Sequence, residues 1–471
     1  MPYDGAVSTP GVDATGGGGT DHVVVRVLPG ASEDEPDASE GARRGADTAG
    51  GEQDPAGAPY FTWARLSNLL SSVGQESTTA VLAPFFAGTL GAAPVVIAGV
   101  EAAGRAGGTA ARFGGSGVAR RRPGVRGLLD VVGYGGAALA AVFLAGSSAI
   151  WQAGACRAGS WVARGMGTPT TLRPVSDQAL AGRAGRRLGV ERAYDALVAA
   201  IGPLIAVALL AFASVRTVLL LAVVPAVVAG LASAYGARAA RSAPGAGAGA
   251  GAGAPGETGA AGAAGRPSAR SIVAELRRSG PLGRLLLGVA LYEAANIAAA
   301  LLLLRATKIL PGGAGPLSRL QAVALLYVVY QVSAAACAFW AGRVVDRLGA
   351  AVVVATGAAA LLIAYAGFAA AARGDLALMI GCFVLAGAAA GAVDAAEYAG
   401  LARLVPPERR WPALSALTGL QNAGRIFATV TAGGLWTLVS PPAGLLICGP
   451  LLLVATILLA TRPDRPAAAS H

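Results

Sequence analysis

"AGRVVDRLGA" spans residues 341–350, between "LLYVVYQVSAAACAFW" (325–340) and "AVVVATGAAALLIAYAGFA" (351–369). Both flanks are apolar and belong to runs of about 20 residues, enough for a helix to cross a hydrocarbon core of about 30 Å. One Asp between two Arg, bracketed by Gly, reads as a water-facing turn joining two membrane helices. Gly lets two backbones pass closely there. Asp346 can accept charge-assisted hydrogen bonds from helix-end amides or from an Arg. Two roles stay open: a charged clip that holds helices together in one state and releases them in another, or a solvated turn.

Composition extends the pattern to the whole chain. Hydrophobic residues make up 54%, charged residues 13%, and mean hydropathy is +0.58, where a soluble domain carries roughly 25% charged residues. The Ala/Leu/Gly runs do not alternate, which argues against a barrel of strands about 10 residues long. The expected fold class is an all-α membrane protein of twelve transmembrane helices in two six-helix halves. Spans are expected at 67–90, 93–113, 127–147, 148–166, 192–213 and 215–235, then 283–305, 319–341, 350–372, 376–399, 412–436 and 443–461.

Between the halves lies "APGAGAGAGAGAPGETGAAGAAG" (243–265), a flexible low-complexity linker. "SIVAELRRSG" (271–280) follows, read as a short surface helix capped by Ser271. The organisation is therefore an acidic tail over 1–60, a half over 61–235, a linker over 236–282, a half over 283–461 and a tail over 462–471. The first tail holds eleven acids against three Arg and cannot bury enough apolar surface to fold, so it reads as disordered. The positive excess lies instead in alternate loops. Arg120, Arg121 and Arg122 follow the second span, Arg183, Arg186 and Arg187 the fourth, and Arg343 and Arg347 the eighth. The loops after the first, third and eleventh spans have no Lys or Arg, and Arg305, Lys308 and Arg319 break the alternation most. The positive-inside rule then puts both termini and the linker in the cytoplasm, in a multi-pass protein of the plasma (inner) membrane. Six spans either side of a long cytoplasmic loop is the layout of a transporter built on repeated halves. Twelve helices of an unrelated membrane enzyme is the competing layout.

Several stretches carry a more specific likeness. "GRVVDRLGA" (342–350) resembles the Gly-x-x-x-Asp-Arg-x-Gly loop signature of the major facilitator superfamily. "SSVGQESTTAVLAPFF" (71–86) resembles the first helix of a bacterial, efflux-like branch of that superfamily. Residues 164–206, ending in "AAIGPLIA", resemble its fourth-to-fifth helix connection, and "LLLLRA" (301–306) and "LARLVPPERRWPALSALTGLQNAG" (401–424) its seventh and its tenth-to-eleventh helices. Departures accompany them. The first-half loop "SGVARRRPGVRG" (116–127) lacks the signature Asp, Arg403 stands where an acid precedes Val-Pro-Pro, and Trp411 stands where a Gly follows the Arg.

The resemblance implies a gating loop of Gly342, Arg343, Asp346, Arg347 and Gly349, and an antiporter-like helix bend at Gly202 and Pro203. It also implies that the first, fourth, seventh and tenth helices line one central cavity. That would gather Glu76, Arg157, Glu293 and Asp394 there, with polar neighbours that include Gln75 and Asn296. Charges within spans are costly and mostly functional; a desolvated carboxylate can exchange a proton, whereas the bland reading of each acid is an ion pair that fixes packing. Glu101 and Arg105, at i,i+4 on the second span, are expected to pair with each other, and Arg192 and Asp195 to form a surface pair.

Other chemistry finds little support. His22 and His471 lie in the tails, which leaves no His-based metal site. Cys156, Cys337, Cys382 and Cys448 fall within spans and read as small apolar fillers. No GxxxxGK[ST] loop is present, so ATP is not the expected energy source. The expectation is a monomeric secondary transporter, not an enzyme, that uses no cofactor, metal or nucleic acid. Its partners are the lipid bilayer, a small organic substrate and protons as coupling ion, with export by alternating access. The competing readings are a scaffold or sensor that keeps the transporter fold, and an importer or uniporter.

Overall fold

In lipid, long Ala-, Leu- and Gly-rich runs can satisfy their backbone amides only as helices or closed barrels, and the described residues fold almost wholly into helices. The structure is a computed structural model that describes residues 59–122, 125–167, 184–242, 280–314, 317–405 and 407–461. The acidic tail through residue 58, most of the linker with its expected surface helix, and the C-terminal tail lie outside the described residues.

In the first half, α1 (Pro59–Ala83) runs into a π-helical turn, Pro84–Thr89. There follow α2 (Pro94–Arg121), α3 (Arg126–Gly146), α4 (Ile150–Gly167) and α5 (Ala184–Leu209). The half closes with α6 (Val215–Leu221) and α7 (Val223–Ser242). The second half begins with α8 (Pro281–Glu293) and α9 (Ala299–Ile309). A two-stranded antiparallel hairpin, β1 (Gly313–Ala314) with β2 (Leu317–Ser318), pairs Gly313 with Ser318 and Ala314 with Leu317. Then come α10 (Arg319–Leu348), α11 (Ala350–Ala370) and α12 (Leu376–Leu404). Last are α13 (Pro407–Leu438), α14 (Pro441–Leu446) and α15 (Gly449–Ala460).

Seven of the described helical segments are long and apolar enough to cross a membrane. Large apolar side chains also face outward, such as Trp151, Phe212 and Leu438, at 73%, 78% and 84% exposure. A surface of that kind belongs in lipid, since soluble monomers rarely expose large contiguous apolar patches. This is a multi-pass membrane protein.

Local chemistry sets the helix ends. Ser318 and Gln321 form a capping box at the start of α10, and Ser440 and Asp375 cap α14 and α12 through their side chains. Pro opens α2, α8 and α14, where its missing amide is not needed. Gly349, at φ 90°, separates α10 from α11 in a conformation that L side chains rarely adopt.

Four differences from the expected segments bear on the architecture. The expected seventh span is broken between Glu293 and Ala299. The amides freed there are satisfied within the same half: the Ile297 amide donates to the Tyr365 hydroxyl at 2.9 Å and the Ala298 amide to Thr429 Oγ1 at 3.1 Å. The twelfth is split into α14 and α15. The sixth is interrupted at Ala222, and its second part continues as helix to Ser242, so the linker does not begin at 236. The signature segment is not a loop through most of its length: residues 341–348 complete α10 and only Gly349 makes the turn.

Packing within the first half sets α1 against α5 and α7, and α4 against α2 and α3; in the second, α12 packs on α10 and α11. The halves meet along α5 with α10, α2 with α13, α1 with α9, and α5 with α12. At the α5–α10 seam, Gly185 and Gly189 face Ala338 and Gly342, so small residues spaced four apart on both helices bring the backbones together. A Cβ added at Gly189 would fall 2.6 Å from the Ala338 carbonyl oxygen.

Candidate functional site

A cavity of ≈ 290 Å³ opens between α1, α5, α10 and α12. Its charged wall consists of Glu76, Arg192, Asp195 and Asp394, and Tyr330 and Gln331 add polar groups from α10. Both halves therefore contribute. Across their boundary the Tyr327 hydroxyl donates to Glu76 Oε2 at 2.5 Å, and the Tyr327 and Tyr330 rings stack with centroids 5.8 Å apart.

Behind this wall lie two buried networks. In the first half, Arg157 is 2% exposed; its Nε donates to Glu101 Oε1 at 2.8 Å and its Nη2 to Thr79 Oγ1 at 3.1 Å. The expected Glu101–Arg105 pair is replaced by this one, because α4 packs on α2 and brings Arg157 to Glu101. The Arg105 guanidinium turns to the Trp161 ring, 5.2 Å from its centroid. Arg164 donates to the Ser71 carbonyl at 3.1 Å and to Gln75 Oε1. In the second half, Glu293 is fully buried and accepts two hydrogen bonds from Arg425, at 2.6 and 2.7 Å, and one from Asn296 at 3.1 Å. Arg425 also reaches Asp394 Oδ1 at 3.1 Å. Glu397, 1% exposed, accepts from Gln421.

The sequence-derived residues thus separate. Glu76 and Asp394 lie on the cavity wall. Arg157, Glu293, Gln75 and Asn296 lie in the networks behind it. Arg192 and Asp195, expected as a surface pair, are 3.6 Å apart on the wall. The reason is where α5 starts: it begins at Ala184 instead of 192, which sets the pair about 12 Å further along the helix. Tyr327, Tyr330 and Gln331 were missed, although their i, i+3, i+4 spacing in an apolar helix placed them on one polar face. Among the described residues, Glu293, Asp394 and Glu397 have oxygens within 4.8 Å of one another, the spacing of a cation site. The Arg425 guanidinium already engages the first two of them.

At the far end of the α5–α10 seam, Asp346 accepts two backbone hydrogen bonds from the first turn of α5, from Gly185 at 3.0 Å and Arg186 at 2.9 Å. Arg403 of α12 stands 4.0 Å from the same carboxylate. At the near end, Gln321 Nε2 donates to the Val207 carbonyl at 3.3 Å. The Arg343 guanidinium lies over the Phe339 ring, 3.8 Å from its centroid. Pro203 sits inside α5 without ending it, and beside it the Gly202 carbonyl accepts from Ser77 Oγ of α1 at 2.8 Å.

Residues 316–471 match the sequence model of the Major Facilitator Superfamily. Solved transporters superpose on most of the chain. The chain has the fold of the Major Facilitator Superfamily. The human organic anion transporter MFSD10 (TETRAN) is 15% identical, with TM-score 0.54, over 86% of this chain and 100% of that one. The nucleoside transporter NupG is 13% identical, with TM-score 0.58, over 86% and 98%. A mutant of NupG gives 14% and TM-score 0.60, over 85% and 98%. No curated protein matches the chain. In this facilitator fold, the described cavity lies where the two halves face each other.

Proposed function

We propose that this protein is a secondary active transporter that exports a small organic molecule in exchange for protons, by rocking of its two halves around the cavity. The observation that carries the proposal is the convergence of Glu76 and Asp195 from one half with Asp394 and Tyr330 from the other on a single cavity. A rocking motion changes the solvation of acids so placed, which is the requirement for coupling proton release to substrate exchange. Glu76 and Asp394 serve as the coupling acids, because they face the cavity. Glu293 serves as an anchor for Arg425, because it is fully buried and doubly bonded to it. Both termini and the linker lie on the cytoplasmic side, and the protein works as a monomer in the plasma membrane.

Reconstitution into proteoliposomes with a trapped pH-sensitive dye tests the proposal. A panel of small organic solutes should include one whose gradient drives proton movement in the parent, with the signal lost in Glu76→Gln or Asp394→Asn. If solute moves without protons, or both variants pump like the parent, coupling through these acids is wrong. If no solute moves at all, the scaffold reading takes its place.

A further inference from the structure

The wall of the cavity carries three carboxylates and one guanidinium: Glu76, Asp195 and Asp394 against Arg192. The acids keep much of their surface open, with side-chain exposure of 46% at Asp195 and 39% at Asp394. The cations nearby are outnumbered by carboxylates. Arg157 is sealed against Glu101, and Arg425 is shared between the buried Glu293, which it bonds twice, and Asp394 of the wall at 3.1 Å. Arg192 lies over the Tyr398 ring, 4.3 Å from its centroid, while its charge is opposed by Asp195.

Given the transporter reading above, we propose that the cavity binds an organic cation, an ammonium group on a compact aromatic or alkyl body. An ammonium would be attracted by the excess carboxylate charge in a partly dry setting, where Coulomb energies are several times those in water. Tyr330, stacked on Tyr327, adds an aromatic ring to the same wall, a group that attracts organic cations. Leu69, Ala196, Ala199 and Ala390 supply apolar wall for the body of the ligand. A carboxylate ligand meets a wall where carboxylates outnumber guanidiniums even after Arg192 opposes Asp195 and Arg425 is shared by Asp394 and Glu293, and a neutral ligand leaves that excess uncompensated. The preferred cargo therefore differs in sign from the one named for the human organic anion transporter.

Three probes of nearly one shape isolate the charge: phenethylammonium, phenylacetamide and phenylacetate. Binding to the purified full-length protein is followed by thermal shift and by calorimetry, with uridine as a fourth probe. Phenethylammonium should bind, with phenylacetamide weaker and phenylacetate absent. Asp195→Asn and Asp394→Asn should each weaken it by about tenfold, equivalent to about 1.4 kcal/mol. Arg373→Ala, on the exposed turn before α12, should leave it unchanged. The proposal is overturned if phenylacetate or uridine binds better, if neither Asp variant weakens the ammonium, or if phenethylammonium fails to bind at millimolar concentration. The readout is equilibrium binding, so a failure to transport in vesicles would count against the transporter reading and not against this one.

Discussion

Arg157 and Glu101 show how little latitude a charge has inside this membrane protein. Each is almost fully buried, and each depends on the other for compensation. Removing one partner strands the other in a medium of low dielectric, at a cost of about 3–5 kcal/mol, whereas removing both costs far less. Arg157→Met should therefore lower the melting temperature and the yield of folded protein, and the double variant Glu101→Gln/Arg157→Met should recover most of the loss in a thermal-unfolding assay in detergent. Equal losses in single and double variants would show that Arg157 contributes through its contact with the Trp161 ring, whose centroid lies 5.7 Å from its guanidinium, and not through the pair with Glu101. That both residues matter was legible in the sequence, since a charge within a span needs a partner. Which partner was not: i,i+4 spacing favoured Arg105, but spacing along a helix carries no information about which neighbour packs beside it. Arg192 and Asp195 were misplaced for a different reason. Hydropathy locates the apolar centre of a helix and not its polar first turns.

At the scale of elements, the "GRVVDRLG" stretch combines a feature visible in sequence with one that is not. The Asp between two Arg pointed to a contact with helix-end amides, and the carboxylate does cap the first turn of α5. Nothing local announced that the stretch would remain helical to Leu348, or that Arg403 would stand beside Asp346 in place of an acid. Asp346→Asn keeps the size of the side chain and one acceptor oxygen, but removes the charge that favours a helix N-terminus. It should express at the parent level and slow transport, as measured by initial rates per amount of protein in the membrane. Unchanged rates would return the stretch to a solvated turn. The breaks at 294–298 and at Ala222 were invisible to hydropathy, because apolar residues flank them on both sides. Only the side chains of Tyr365 and Thr429, far away in sequence, make the first break affordable by bonding its free amides.

For the whole molecule, charge along the chain predicts orientation. A Cys placed at Gly312, in the exposed turn before the hairpin, should react with a membrane-impermeant maleimide in intact cells, and a Cys at Gly280, at the start of α8, should not. Reaction at Gly280 would invert the topology. The two-half architecture was legible because composition and loop charge repeat on either side of the linker; the cavity was legible only in part, because its wall is set by which faces of four helices meet. The seam between α5 and α10 has a consequence for how such a molecule waits. It is fastened at both ends, but unequally. At one end a single neutral hydrogen bond joins Gln321 to the Val207 carbonyl, and such bonds contribute about 0.5–1.5 kcal/mol. At the other, an anion holds two amides with an Arg close by, and bonds to charged groups contribute about 1.5–3 kcal/mol each. The idle protein is thus a door with a strong lock and a weak latch. Under the rocking motion proposed above, thermal motion favours release of the latch, and the lock yields only when a ligand binds the other arrangement more tightly by at least the difference between them.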